Sequence, residues 1–318
     1  MTYMRILFMG TPDFAVPCLD ALIENGYEVV AVVTQPDRPK GRKGDLTPPP
    51  VKVAALRHNL PVLQPEKVRV DEALQELEAF QADLLVTAAY GQILPKRLLD
   101  MPRLGCINVH ASLLPRWRGG APIHRSILEG DANSGVTIMR MVQALDAGDM
   151  ISQVVVPIEE EDTVSSLHDK LSAAGSKLLI ETLPSIANGT HTETPQDESL
   201  VTYSPNLSRD DERIDWSRDA RVLYNQVRGL NAWPVAFTTF SHKVMKIWQA
   251  RIYEEESVPT VEPGTVLKTT DDSIVVQCGK GTLALLEIQP AGKRRMLVTE
   301  YLRGVKPAPG SKFGEREE

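Results

Sequence analysis

Asn108 and His110 stand two residues apart in the run Gly105 to Pro122, GCINVHASLLPRWRGGAP. A carboxamide donates hydrogen bonds, and an imidazole takes up or releases a proton near neutral pH. Cys106 to His110 is β-prone, and in a strand the side chains at i and i+2 point to the same face. The two groups can therefore act together on one bound atom. Asn and His on a strand also serve as hydrogen-bonded structural residues, so the spacing alone leaves both roles open.

The elements that must carry this pair are legible around it. Ser112-Leu113-Leu114-Pro115 follows directly, and Pro115 cannot donate to a ladder, so the strand should end in a loop at the sheet's edge, where open α/β sheets bind ligands. Arg116, Trp117 and Arg118 then bring cations with an aromatic, Gly119-Gly120 lets the backbone turn, and Pro122 opens a helix. Upstream, a strand over Arg5 to Met9, a helix over Asp13 to Asn25 and a strand over Glu28 to Val33 form a β-α-β opening. The fold class is α/β, a Rossmann-like doubly wound sheet. Its first turn, Gly10-Thr-Pro-Asp-Phe14, lacks the G-x-G-x-x-G spacing, which disfavours a nicotinamide dinucleotide. Further strands are expected at Val62-Leu63, Leu84 to Ala89, Gly135 to Met141 and Met150 to Ile158, and Tyr90 to Pro95 breaks the Leu84 to Ala89 run. Asp146, in the connection Val142 to Asp149, suits a turn because its side chain bonds its own backbone.

Thr34 to Pro50 carries prolines, glycines and the cations Arg38, Lys40, Arg42 and Lys43 without apolar periodicity, so a mobile inserted loop is expected at 34–50. Val164 to Ala187 reads as an amphipathic helix ended by Asn188-Gly189, and the polar, proline-bearing stretch after it as linker. The expected organisation is a catalytic domain over 1–189, a linker over 190–208 and a second domain over 209–318. That second domain opens with a helix over Ser217 to Leu230 and continues with about five short β-prone runs, the pattern of a small OB-like β-barrel, a type that commonly binds nucleic acid. Arg228, Lys243, Lys246, Lys293, Arg294 and Arg295 are scattered over it as candidate surface cations.

With 318 residues, 42% apolar and 24% charged, the chain has the composition of a soluble globular protein with a sizeable core. It has no run of about 18 apolar residues and no signal-peptide pattern, which makes a cytoplasmic location and no membrane contact the expectation. Cys18, Cys106 and Cys278 are isolated, so buried thiols are expected and no metal site. The net charge is −7, with 18 Lys+Arg against 26 Asp+Glu up to Ser208 and 17 against 16 beyond it. Neither part is a basic domain, and any nucleic-acid contact must come from local patches.

As a whole, NVHASLLPRWRGGAP (108–122) resembles the signature of the 10-formyltetrahydrofolate-dependent formyltransferases, and LDAGD (145–149) resembles that family's L-D-x-G-D motif. The Thr34 to Lys52 run, RIDW (213–216), NAWP (231–234) and IQPAGK (288–293) extend the likeness over essentially the whole chain. It implies Asn108, His110 and Asp146 as catalytic residues, and Ser112, Leu113, Leu114, Pro115, Tyr90, Gly91 and Ile93 as folate-binding residues. The inserted loop resembles that of the branch acting on initiator methionyl-tRNA, which implies tRNA contacts by Arg38, Lys40, Arg42 and Lys43. The implied reaction moves a formyl group from 10-formyltetrahydrofolate to an α-amino group, with a monomer as the expected state. Three rivals remain: a sister formyltransferase acting on a small amine, a nucleotide-dependent dehydrogenase, and a noncatalytic RNA-binding module. The basic loop with the C-terminal barrel speaks against the first, the missing glycine fingerprint against the second, and dependence of function on Asn108 and His110 would decide the third.

Overall fold

The structure is a computed structural model and describes residues 4–41, 44–254 and 261–315. Backbone contacts divide the chain into two units. The first comprises Met1–Pro122, Asn133–Pro157 and His168–Ser204, the second Ile123–Ala132, Ile158–Leu167 and Pro205–Glu318.

In the first unit β1 (Arg5–Gly10), β2 (Glu28–Val33), β3 (Arg38–Lys40), β4 (Asp45–Thr47), β5 (Val62–Leu63), β6 (Leu84–Ala88), β7 (Cys106–His110), β8 (Arg118–Gly119), β9 (Asn133–Arg140), β10 (Met150–Pro157) and β11 (Tyr203–Ser204) follow in order. Seven of them form one sheet in the order β10-β9-β7-β6-β1-β2-β5. Strands β5, β2, β1, β6 and β7 run parallel, with β9 and β10 added antiparallel to their neighbours. The parallel strands are apolar almost throughout, because both faces are covered. Helices α1 (Val16–Glu24), α2 (Pro50–Arg57), α3 (Asp71–Glu78) and α4 (Lys96–Leu99) make the crossovers. Leu7, Met9, Val33, Leu74, Leu77, Leu85 and Leu98 belong to the core on one face. As the β-α-β pattern implies, Asn108 and His110 lie at the carboxyl end of β7, inside a Rossmann-like sheet.

Two sequence expectations need correction here. The 34–50 insert is not structureless in its described part, since β3 and β4 pair in antiparallel register from Arg38↔Thr47 to Lys40↔Asp45. Its base is clamped by Lys52, whose Nζ lies 2.8 Å from Asp37 and 2.7 Å from Gln64. Asp37 also accepts Gln64 Nε2 at 2.8 Å, and the hydrogen bonds it receives, from Gln64 first and then Lys52, hold its carboxyl below the usual carboxylate range. The stretch read as linker is also tied down: Met150 and Thr194 exchange backbone hydrogen bonds, and β11 pairs in parallel with β8. Its polar residues bond to the first unit's loops, which composition alone cannot tell from solvation.

The second unit contains α5 (Pro122–Leu128) from Ile123 onward, the start of α6 (Val164–Ala187), α7 (Arg209–Glu212), α8 (Ala220–Gly229) and α9 (Val298–Tyr301). Its strands are β12 (Phe237–Phe240), β13 (Lys243–Glu254), β14 (Val266–Thr269), β15 (Ile274–Gln277), β16 (Thr282–Pro290) and β17 (Met296–Leu297). They form a curled antiparallel sheet in the order β12-β13-β16-β15-β14, with β17 on β16. The two edges meet through the segment 310–314, which bridges Thr265 through Lys312 and Phe240 through Phe313. The OB-like barrel expectation fits this closure. Arg228, read as a surface cation, is instead buried on α8, where it bonds Asn225 and the carbonyls of Glu159 and Asp162.

Candidate active site

The edge of the first unit's sheet brings Asn108, His110 and Asp146 together. Thr87, the register partner of Asn108 on β6, donates its hydroxyl to Asn108 Oδ1 at 2.7 Å. That bond fixes the amide with its NH2 end turned away from β6 and available as a donor. His110 is 6% exposed, and its Nε2 lies 3.0 Å from the Trp117 carbonyl oxygen. A carbonyl only accepts, so Nε2 carries the proton, and Nδ1 is the atom left for proton exchange. Nδ1 faces Asp146 Oδ2 at 3.7 Å. The same carboxylate oxygen accepts the Gly119 backbone N–H at 2.8 Å.

Asp146 adopts a left-handed φ of 46°, in the turn between β9 and β10. Two residues on, a Cβ built on Gly148 would run into the Arg140 carbonyl oxygen. Gly148→Ala must therefore displace this turn. The expected outcome is a loss of about 1–3 kcal/mol in stability from overpacking, together with a kcat loss that follows the Asp146 carboxylate. Denaturant unfolding and steady-state kinetics on one preparation measure both.

The other implied residues are placed as follows. The Ser112 hydroxyl donates to Arg116 O at 2.7 Å, and Thr137 Oγ1 donates to Ser112 O at 2.7 Å. Gln153 reaches across from β10 to Leu114 O at 2.9 Å. The SLLP segment is thus fastened from β9 and β10, with Leu114 buried and Leu113 and Pro115 half-buried. Tyr90 is buried and its ring joins the core, so only its backbone can face a ligand, and its carbonyl already accepts from Thr11 and Gln35. Gly91 is exposed, and Ile93 is 85% exposed at the same edge of the sheet. Arg38 pairs with Glu66 at 2.8 Å on the surface, and Lys40 ends β3. Arg42 and Lys43 lie outside the described residues.

Sequence reasoning missed Thr87, Thr137, Gln153 and Gln196. Each is a polar residue whose partner is distant in the chain, and no local pattern marks it. Burial pushes the thiol of Cys106, at the start of β7, up to about 12, so no thiolate nucleophile stands beside the site at neutral pH. Among the described residues no group of three or more His, Cys, Asp or Glu could hold a metal ion, and no helix is long and apolar enough to cross a membrane.

This arrangement has a counterpart among known proteins. The profile described as "Formyl transferase" matches residues 4–183, and that described as "Formyl transferase, C-terminal domain" matches residues 206–306. The chain belongs to the formyl transferase family. Relatives within that family include the methionyl-tRNA formyltransferase of Bacillus velezensis, 58% identical over 316 residues, and that of Bacillus subtilis, 58% identical over 315 residues, with 99% of each chain covered in both cases. The enzyme of the same name from Geobacillus thermodenitrificans is 56% identical over 318 residues. Among solved structures, Aquifex aeolicus HypX in complex with tetrahydrofolic acid superposes with a TM-score of 0.66 at 19% identity, covering 99% of this chain and 51% of that one. The sugar 3N-formyl transferase WlaRD gives 0.67 at 18% identity, covering 92% and 99%. These two likenesses concern the formyl transferase fold.

Proposed function

We propose that this protein transfers the formyl group of 10-formyltetrahydrofolate to the α-amino group of initiator methionyl-tRNA, acting as a cytoplasmic monomer. The observation that carries this reading is the 58% identity over 99% of both chains to proteins named for that activity. The site supplies what the chemistry needs. Asn108 offers a carboxamide N–H, oriented in advance by Thr87, to the oxyanion that develops on the formyl carbon, and a donor of this kind is worth about 3 kcal/mol in the transition state. His110 and Asp146 hold a proton-exchanging atom, Nδ1, against a carboxylate. That pair is suited to take the amine's proton, directly or through a water, and return one to the departing nitrogen.

The donor's fit can be judged from the residues present. Exposed Ile93 and half-buried Leu113 and Pro115 leave apolar surface at the sheet edge, which a flat ring system would cover, and the exposed Gly91 backbone lies beside Ile93. The donor supplies the activated formyl group. Ser112 and Leu114 keep their backbone fixed through Thr137 and Gln153, so the loop meets the donor preorganised.

Purified protein mixed with 10-formyltetrahydrofolate and methionyl-tRNA should yield N-formylmethionine on the tRNA, with the matching change in folate absorbance. Formylation of an amino-sugar nucleotide instead would transfer the reading to a sister activity, and no formylated product would remove it. For the basic insert at 34–50, Arg42→Ala should raise KM for tRNA and lower the slope of log affinity against log salt by about 1, with folate affinity unchanged. A guanidinium can meet phosphate in two-pronged fashion, whereas the Lys neighbours act as point charges. Wild-type behaviour of Arg42→Ala would leave the insert as a connector.

A further inference from the structure

We infer that Gln196, with Arg118 behind it, is a positioning residue for the Asp146 carboxylate, and hence for the formyl transfer proposed above, on which this inference rests. Gln196 comes from the polar stretch that composition alone marks as linker, yet it is only 8% exposed. Its Nε2 donates to two carbonyl oxygens of the LDAGD turn, those of Asp146 and Gly148, each at 2.8 Å. Its Oε1 accepts from Arg118 Nε at 2.9 Å. The amide's orientation is unambiguous, because Arg118 can only donate and the two carbonyls can only accept. Arg118 is 3% exposed, and its guanidinium ends on Glu198 at 2.8 Å.

The turn needs this support. Asp146 sits in the left-handed region, which a residue with a Cβ rarely adopts unless its surroundings hold it there. One amide draws in the carbonyls on either side of Ala147, and the Gly119 N–H draws in the carboxylate from the front. Gly119 directly follows Arg118, so both restraints on Asp146 trace to one buried guanidinium and its strand. The product of this bracing is the 3.7 Å approach of Oδ2 to His110 Nδ1. Proton exchange is steep in distance, and a displacement of about 1 Å costs about 100-fold.

The test is a double-mutant cycle on the full chain. Gln196→Met keeps the side chain's length and removes the amide; Gln196→Glu keeps the bond to Arg118 and loses donation to the turn, which covers the case in which the first variant fails to fold. Each should lower kcat by about 10- to 100-fold with KM for folate and for tRNA little changed, and the kcat pH profile should take the shape seen with Asp146→Asn. In an Asp146→Asn background the Gln196 substitution should add nothing, because it acts only through that carboxylate. Wild-type kcat in the soluble variants, or a loss that multiplies with that of Asp146→Asn, would overturn the inference. An unmodified protein that fails to formylate methionyl-tRNA would instead strike at the proposed function.

Discussion

Asn108→Ala, His110→Ala and Asp146→Ala should each lower kcat by about 100- to 1,000-fold while leaving folate binding almost untouched, since the bonds they remove form mainly in the transition state. The structure sharpens the expectation for each. Asn108 is already oriented by Thr87, so little reorganisation is needed when charge develops. Thr87→Val should give a smaller kcat loss of the same character, by freeing the amide to rotate. His110 is anchored at Nε2 by Trp117, which leaves Nδ1, beside Asp146, as the atom open to proton exchange, so the His110 and Asp146 losses should be strongly non-additive. Single-turnover formylation, paired with calorimetric folate binding, separates these effects. A variant that turns over like the wild type drops out of the mechanism.

The second large effect concerns stability. Phe313→Ala should destabilise the second unit by about 3–5 kcal/mol. Phe313 is 4% exposed, with its ring 4.7 Å from that of Phe240 and 5.7 Å from that of Trp216. Its backbone donates to Gly264 O while Gly314 donates to Thr239 O, so it sits where the two edges of the curled sheet meet. Truncating the ring thus opens a cavity and loosens the closure at once. Trp216 is buried against it, so with Trp117, Trp233 and Trp248 replaced by Phe its fluorescence follows this unit. An unfolding midpoint in urea that barely moves would mean that the sheet is closed by other contacts.

The division between what could and could not be read from the chain follows the range of the interactions. The parallel strands, the end of β7 ahead of Pro115 and the pairing of Asn108 with His110 rest on local periodicity and proline chemistry, and all are visible in a short window. The resemblance carried by 108–122 and 145–149 joined Asp146 to that pair, a contact no spacing rule supplies. Three things escaped. The β3–β4 hairpin forms because Lys52, Asp37 and Gln64 clamp its base, although nothing within 34–50 has a strand's alternation. The 190–204 stretch is polar because Gln196 and Thr194 bond to partners 44 or more positions away in the chain. Arg228 is a cation by composition, but a buried anchor because Asn225 and two carbonyls neutralise its need for water. Each was hidden by long-range polar bonding, which a window of sequence does not contain.

Closure of the second unit through residues 310–314 sets a schedule for synthesis. Ile127 and Leu128 belong to that unit and lie against Gly229. They leave the ribosome roughly 185 residues before the closing segment, which at about 5–20 residues per second is a delay of roughly 9 to 37 s. The first unit's sheet can assemble during that interval, while the second unit's sheet still lacks its closing segment. A nascent chain paused before residue 310 should therefore leave the edges at Phe240 and Thr265 unbridged and present them to chaperones that recognise apolar segments, and release of the following residues should close them.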